Sequence, residues 1–295
     1  MNNFTFLRPI PRHNRVMAAL QNLVDTAVKS ALNEFAPLHL HADELAVTLV
    51  DLSAGEKSSP ASHHGEASFY PASVIKLFYL AAAHRWLEDK KIFDTPELRR
   101  ALHDMIVHSG NEATGHVLDV LTDTTSGPEL PPAELAAWHE KRNSVNRYFH
   151  SLGYNAINAN RKTWHDWPYG RDKQAVDQFT PARNSLTTNA TARLLVEIAT
   201  GNFVSPARCQ EMRDLLRRDF ENPNSTDHQG REFIGAGLPP SAKLWAKAGY
   251  MSTARHDAAI VELADGRKFV LVIFTTQPDA KEIIPEITRQ LVGGS

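Results

Sequence analysis

Apolar positions change their period twice along this chain. Val16, Leu20, Leu23, Val24, Ala27, Ala31, Leu32 and Phe35 recur at helical spacing, which predicts an amphipathic helix over residues 16–35. Glu44 to Asp51 reads as a strand, and the polar stretch with Gly55, Pro60 and Gly65 as a hairpin or loop. Phe69-Tyr70-Pro71-Ala72 is an extended run into a turn, followed by the apolar helix of Leu77 to Ala83. From Ser73 to about Asn222 the pattern stays mostly helical. Two connections break it: proline-rich 127–132 and an aromatic loop around Trp164 to Arg171. Then the period shortens. Ala242–Tyr250, His256–Leu263 and Lys268–Thr275 are strand-like, with Asp265-Gly266 as a hairpin signal between the last two. Glu282 to Leu291 closes the chain as a helix, with Pro285 near its first turn.

One strand near the start and three at the end imply a single sheet assembled from both chain ends. The expected class is α+β: an antiparallel sheet flanked by N- and C-terminal helices, plus a mostly helical second lobe. Residues 16–70 and 232–295 would form the α/β lobe, residues 71–231 the inserted helical lobe, with a cleft between them.

Composition narrows the function classes. The chain has 295 residues, 42% hydrophobic and 22% charged, as in ordinary globular proteins. A formal net charge of -2 gives no electrostatic case for nucleic acid or an anionic membrane. A single cysteine, Cys209, excludes an internal disulfide framework and reads as a small inert thiol. No run approaches the roughly 18 apolar residues of a membrane span. Met1 to Arg15 lacks the apolar core of a secretory signal, so the sequence as it stands reads as cytoplasmic, or as periplasmic or secreted if an export signal was trimmed. His63, His64, His103, His108, His116, His139, His165 and His256 do not show a known zinc spacing with a third ligand nearby. They read as scattered, and no metal or organic cofactor is implied.

Three short elements carry candidate chemistry. Ser73-Val74-Ile75-Lys76 sits where the extended run meets the apolar helix, so Ser73 lies near a helix N-terminus with Lys76 on the same face. A serine hydroxyl needs a base, and a buried lysine one turn on can supply it if burial lowers its pKa. Ser109-Gly110-Asn111 lies between apolar helical stretches, where Ser, Gly and Asn also suit a plain helix-joining turn. Lys247-Ala248-Gly249 lies on or beside the first late strand.

In this order the three elements resemble the Ser-x-x-Lys, Ser-x-Asn and Lys-Thr-Gly set of class A β-lactamases and penicillin-binding proteins. Ser109 to Leu118 is similar to that family's Ser-Asp-Asn and its following helix. Arg183-Asn184-Ser185-Leu186-Thr187-Thr188 resembles the end of its omega loop, and Arg255-His256-Asp257 its Arg-Asn-Asp. The resemblance runs from about residue 16 to the C-terminal end. It implies Ser73 as acylated nucleophile and Lys76 as base or relay. Ser109 would pass a proton to the leaving group, and Asn111 would bind a substrate amide carbonyl. Lys247 would keep Ser109's surroundings positive and attract a substrate carboxylate, with Arg255 assisting. The backbone N–H groups of Ser73 and Tyr250 would form the oxyanion hole.

The departures are as informative. No Glu stands between Glu140 and Glu197, so the family's deacylating glutamate is absent from its expected region. Within the loop Asn160 to Arg183 the carboxylates are Asp166, Asp172 and Asp177, and Asp166 is the expected substitute. Ala248 replaces the threonine, removing a hydrogen bond of about 1.5–3 kcal/mol to a charged partner. Ser73 and Ser109 are only 36 positions apart, which implies a more open cleft. The expected activity is hydrolysis of an amide or ester, a small-molecule or peptide-like substrate, through an acyl-enzyme, with poor penicillinase activity. Alternatives are a true β-lactamase using Asp166, a D-alanyl peptide hydrolase, a small esterase, and a non-catalytic ligand-binding descendant. A glutaminase fits the C-terminal triad less well.

Overall fold

The computed structural model describes residues 12–53, 59–164, 167–222 and 225–293. Its sheet runs in the order β2-β1-β6-β5-β4-β3, every neighbouring pair antiparallel. The strands are β1 (Leu45–Asp51), β2 (Ala61–His63), β3 (Arg217–Arg218), β4 (Lys243–Met251), β5 (Ala254–Glu262) and β6 (Lys268–Thr275). β1 and β6 pair along their whole length, from Leu45 opposite Thr275 to Asp51 opposite Phe269. The first and last strands of the chain thus pair inside the sheet, which is how both ends build one sheet. β3, two residues long, lies inside the stretch read as helical. Too short to show a period, it joins the edge through Trp245 and Leu244.

The pleat divides the core. On β6, Val270, Val272 and Phe274 face one cluster, while Leu271 and Ile273 face the other. The second cluster is covered by the terminal helices α1 (Arg12–Glu34) and α11 (Ile283–Gly293) through Val24, Val28, Ile284 and Ile287. The first is covered by α2 (Lys76–Glu88) and by α8 (Thr188–Thr200). With both faces covered, β5 and β6 are buried almost throughout; β6 reads as a continuous apolar run, while β5 also buries Arg255, His256 and Asp257.

The remaining helices complete the other side: α3 (Pro96–Ile106), α4 (Asn111–Thr122), α5 (Pro132–Arg142), α6 (Ser144–Ser151), α7 (Gly170–Gln178), α9 (Pro206–Leu216) and α10 (His228–Arg231). Their starts follow local rules. Thr95 caps α3 by accepting from the Leu98 N–H at 3.1 Å, and Thr187 caps α8 by accepting from Ala190 at 3.1 Å. Pro96 and Pro206 occupy first-turn positions, where no N–H is needed. α2 is apolar on all sides and lies at the centre of its cluster, with only Arg85 and Glu88 reaching outward. Cys209 is a buried free thiol. Among the described residues no helix is long and apolar enough to cross a membrane.

Candidate active site

Ser73 lies in a 3₁₀ turn, Ala72–Ile75, that runs directly into α2. Ala72 holds a left-handed backbone, φ 45°, and this bends the extended run into the turn. Ser73 is half-buried, while Lys76, the first residue of α2, has no exposed surface. Gly249 on β4 explains how the turn meets the sheet. A Cβ there would stand 2.8 Å from the Ser73 amide nitrogen and 2.8 Å from the Pro71 carbonyl. Only a glycine lets the strand pass so close to the Ser73 backbone.

The Lys76 ammonium crosses to the segment between α3 and α4. Nζ donates to the Ser109 carbonyl at 2.6 Å, to Asn111 Oδ1 at 2.9 Å and to Ser109 Oγ at 3.2 Å. Burial drives its pKa down to about 7, with Glu112 pulling the other way. Ser109 reaches this position with φ 57°, a left-handed residue after the end of α3, where the Gly110 N–H closes onto the Asp104 carbonyl at 2.9 Å. The Ser-Gly-Asn turn is therefore both a helix connection and the carrier of two polar groups.

Lys247 approaches the same hydroxyl from the sheet. Its Nζ donates to Ser109 Oγ at 3.0 Å, to the Ala248 carbonyl at 2.7 Å and to Gln229 Oε1. All three N–H groups are engaged and the residue is fully buried, so none remains to hydrogen-bond a substrate carboxylate. Burial first, and then the Lys76 charge, hold its pKa well below the ordinary lysine range. Ser109 Oγ thus stands between two buried amines.

Gln229 and Arg218 hold this arrangement, and sequence reasoning missed both. Gln229 Oε1 also accepts from the Ala248 N–H at 3.3 Å, while its Nε2 donates to the Val107 carbonyl at 2.9 Å and the Ile106 carbonyl at 3.2 Å. Arg218 donates to the Ala246 carbonyl at 2.9 Å and to the Ile106 carbonyl at 2.9 Å. Together they tie β4 to the end of α3, the two elements whose side chains meet at Ser109. No local pattern marks either residue.

The other predicted residues divide. Tyr250 follows Gly249 on β4, with its ring 68% exposed and 6.2 Å from that of Phe233. Arg255 faces Tyr250 across β4 and β5 but is only 5% exposed. Its guanidinium lies 4.0 Å over the Phe233 ring and donates to the Glu232 carbonyl at 2.8 Å. It is thus engaged within the protein, a role no spacing reveals. Asp166 lies outside the described residues. The loop still reaches the site just before it, because Asn111 Nδ2 donates to the Trp164 carbonyl at 3.3 Å. Asp172 is buried 3.5 Å from the Arg142 guanidinium, and Asp177 pairs with Lys173 on α7 at 2.6 Å. The loop base is closed by Asn184, whose Oδ1 accepts from the Arg161 N–H at 2.9 Å and whose Nδ2 donates to the Arg161 carbonyl at 2.9 Å. The Tyr79 hydroxyl donates to that same carbonyl at 2.7 Å and so ties the loop to α2 one turn after Lys76.

An antiparallel sheet covered on both faces, with a serine turn and two buried lysines converging on a second serine, defines a β-lactamase-like serine hydrolase architecture. The chain belongs to the β-lactamase enzyme family, whose model matches residues 93–293. That match begins after Ser73 and Lys76. Among solved structures, a β-lactamase from Sphaerobacter thermophilus DSM 20745 is 18% identical with a TM-score of 0.65, covering 92% of this chain and 97% of its own. A β-lactamase from Chitinophaga pinensis DSM 2588 is 19% identical with a TM-score of 0.64, over 94% and 99%. PBP-A is 19% identical with a TM-score of 0.63, over 92% and 95%, and a point mutant of PBP-A has been captured as an acyl-enzyme with penicillin G. At these identities the likeness is one of fold. No curated protein matches the chain.

Proposed function

We propose that this protein hydrolyses an amide or ester through an acyl-enzyme on Ser73 and turns over penicillin poorly. The observation that carries the reading is Lys76. It is fully buried, one turn after Ser73, with a pKa brought down to about 7 and bonds to Ser109 and Asn111. A binding module has no use for a buried amine poised to release its proton beside two serines.

In the neutral state Nζ keeps two N–H bonds, to the Ser109 carbonyl and Asn111 Oδ1, and its lone pair is free to take a hydroxyl proton. Ser73 Oγ attacks the substrate carbonyl carbon and passes its proton to Lys76. The backbone N–H groups of Ser73 and Tyr250 receive the developing oxyanion. As the C–N or C–O bond breaks, the leaving group takes the Ser109 hydroxyl proton, which Lys76 replaces. Lys247 holds Ser109 in place and favours its transient negative charge. Asn111 binds the substrate amide. Water then cleaves the Ser73 ester.

Slow deacylation follows from the loop, which has no glutamate. A second reading, hydrolysis of the acyl-enzyme with Asp166 as the base, draws support from the bond between Asn111 and the Trp164 carbonyl. That bond brings the loop to the site two positions before Asp166. The penicillin acyl-enzyme of the PBP-A mutant makes penicillin G the natural first probe.

The test is intact-protein mass spectrometry after incubation with penicillin G and with a serine-reactive fluorophosphonate, with Ser73→Ala alongside. The expected result is a penicillin adduct that persists and is missing from the variant. An adduct that forms and vanishes as penicillin is consumed selects the second reading. No adduct with either reagent overturns the proposal.

A further inference from the structure

Two of the histidines read as scattered, His103 and His108, come together. α3 ends between His103 and His108, and the chain turns back so that their rings lie 5.3 Å apart, centroid to centroid. Asp104 completes the group, with Oδ1 3.4 Å from His103 Nδ1. One ligand atom from each of the three lies within 4.8 Å of the other two. Both histidines are exposed and Asp104 is half-buried, so solvent and ions have direct access.

We propose that His103, Asp104 and His108 form a site for a divalent ion of the zinc type, and that its occupancy pins the turn carrying Ser109. Two imidazoles and one carboxylate suit a borderline ion such as zinc, and three protein ligands leave a fourth position for water. Tetrahedral donors at zinc bonding distances stand roughly 3.4 Å apart, so a modest rotation of exposed side chains closes the present spacing.

The consequence lies in the backbone. The Gly110 N–H donates to the Asp104 carbonyl at 2.9 Å, and the Val107 N–H donates to the His103 carbonyl at 2.7 Å. The ligand-bearing residues are therefore those whose carbonyls close the end of α3, and His108 immediately precedes Ser109. Gln229 and Arg218 already hold the Ile106 and Val107 carbonyls from the protein side. A metal on His103, Asp104 and His108 would clamp the same turn from the solvent side and restrict Ser109 and Gly110.

The experiment uses the full chain without a histidine tag. Zinc chloride is titrated by calorimetry, cobalt(II) by visible absorption, and Gly110 amide exchange is followed with and without zinc. The expected result is one zinc per chain and the intense d–d absorption of four-coordinate cobalt. Affinity should fall at least tenfold in His103→Ala and in His108→Ala, and stay within twofold in His116→Ala, an exposed histidine on α4. Zinc should slow Gly110 exchange at least threefold in the parent protein and leave it unchanged in His108→Ala. These ligands are on the surface, so thermal unfolding will show the variants folded. Zinc binding that survives the His103→Ala/His108→Ala double variant, no binding by the parent chain, or unchanged Gly110 exchange at saturating zinc would each overturn the proposal. None of these readouts depends on catalysis, so they stand apart from the test of Ser73.

Discussion

Lys247 and Ser109 lie 138 positions apart in the chain, and the Nζ of one donates to the Oγ of the other across 3.0 Å. One comes from β4, next to the edge strand of the sheet, the other from a turn between two helices. Lys76 reaches the same hydroxyl from α2. A single oxygen is therefore where sheet, turn and buried helix converge, and the proposed proton transfers run through it.

Gln229 should prove to be a positioning residue. Gln229→Leu keeps the volume but removes the acceptor that Lys247 and the Ala248 N–H share. Arg218 still serves the Ile106 carbonyl, so the main loss is at the buried ammonium. Urea unfolding should show a loss of about 1–3 kcal/mol, and Ser73 acylation should slow at least tenfold. Gln229→Glu restores the acceptor but loses the donor to the Val107 and Ile106 carbonyls, so acylation should recover only in part, above the Gln229→Leu rate. A Gln229→Leu protein acylating at the parent rate would sink this assignment.

Acylation should follow the Lys76 titration. Burial lowers the pKa to about 7, and only the neutral amine accepts a proton. The rate should therefore fall about tenfold for each pH unit below 7 and level off above it. Lys76→Arg, protonated at every accessible pH, should lose roughly 10²–10⁴-fold in acylation. Rates of fluorophosphonate labelling from pH 5.5 to 8.5 would decide it. A flat profile argues against Lys76 as the base.

Two glycines should respond differently to alanine. At Gly249 the new Cβ meets backbone on three sides, at Pro71, Ser73 and Val74, so the Ser73 turn must move. Acylation of Gly249→Ala should drop at least tenfold, with a clear loss of thermal stability. At Gly266, φ 89°, nothing lies within 4 Å, so the cost is the strained backbone alone, about 1 kcal/mol. Gly266→Ala should acylate normally. Equal acylation by both variants would show that β4 does not set the nucleophile's position.

Deacylation gives the fourth test. Under the second reading proposed above, Asp166 would activate the deacylating water, since Asp172 and Asp177 are paired elsewhere. Asp166→Asn should lengthen the life of the penicillin adduct roughly tenfold, and Asp166→Glu should shorten it, since one added methylene extends the carboxylate's reach. The adduct mass followed over hours measures both. A lifetime indifferent to both substitutions would remove Asp166 from the reaction.

Much of the architecture was legible because its signals are local. The apolar run of α2, the three late strands, the Asp265-Gly266 hairpin and the two terminal helices each follow from spacing within a few residues. Ser73 with Lys76, and Ser109 with Asn111, were likewise visible as pairs, since the members of each lie within one short local element. β3 was not, because two residues carry no period.

What the sequence determined by itself was therefore the set of elements and the residue types available at their ends. Only the tertiary structure decided which of those residues meet. It placed Gln229 and Arg218 beneath the Ser109 turn, turned Arg255 onto Phe233 and Glu232, used up every N–H of Lys247 inside the protein, and folded His108 back onto His103. The reason is physical. Periodicity reports which face of an element is apolar, whereas the partner of a buried polar group is chosen by whatever acceptor the packed chain leaves within reach, however distant in sequence.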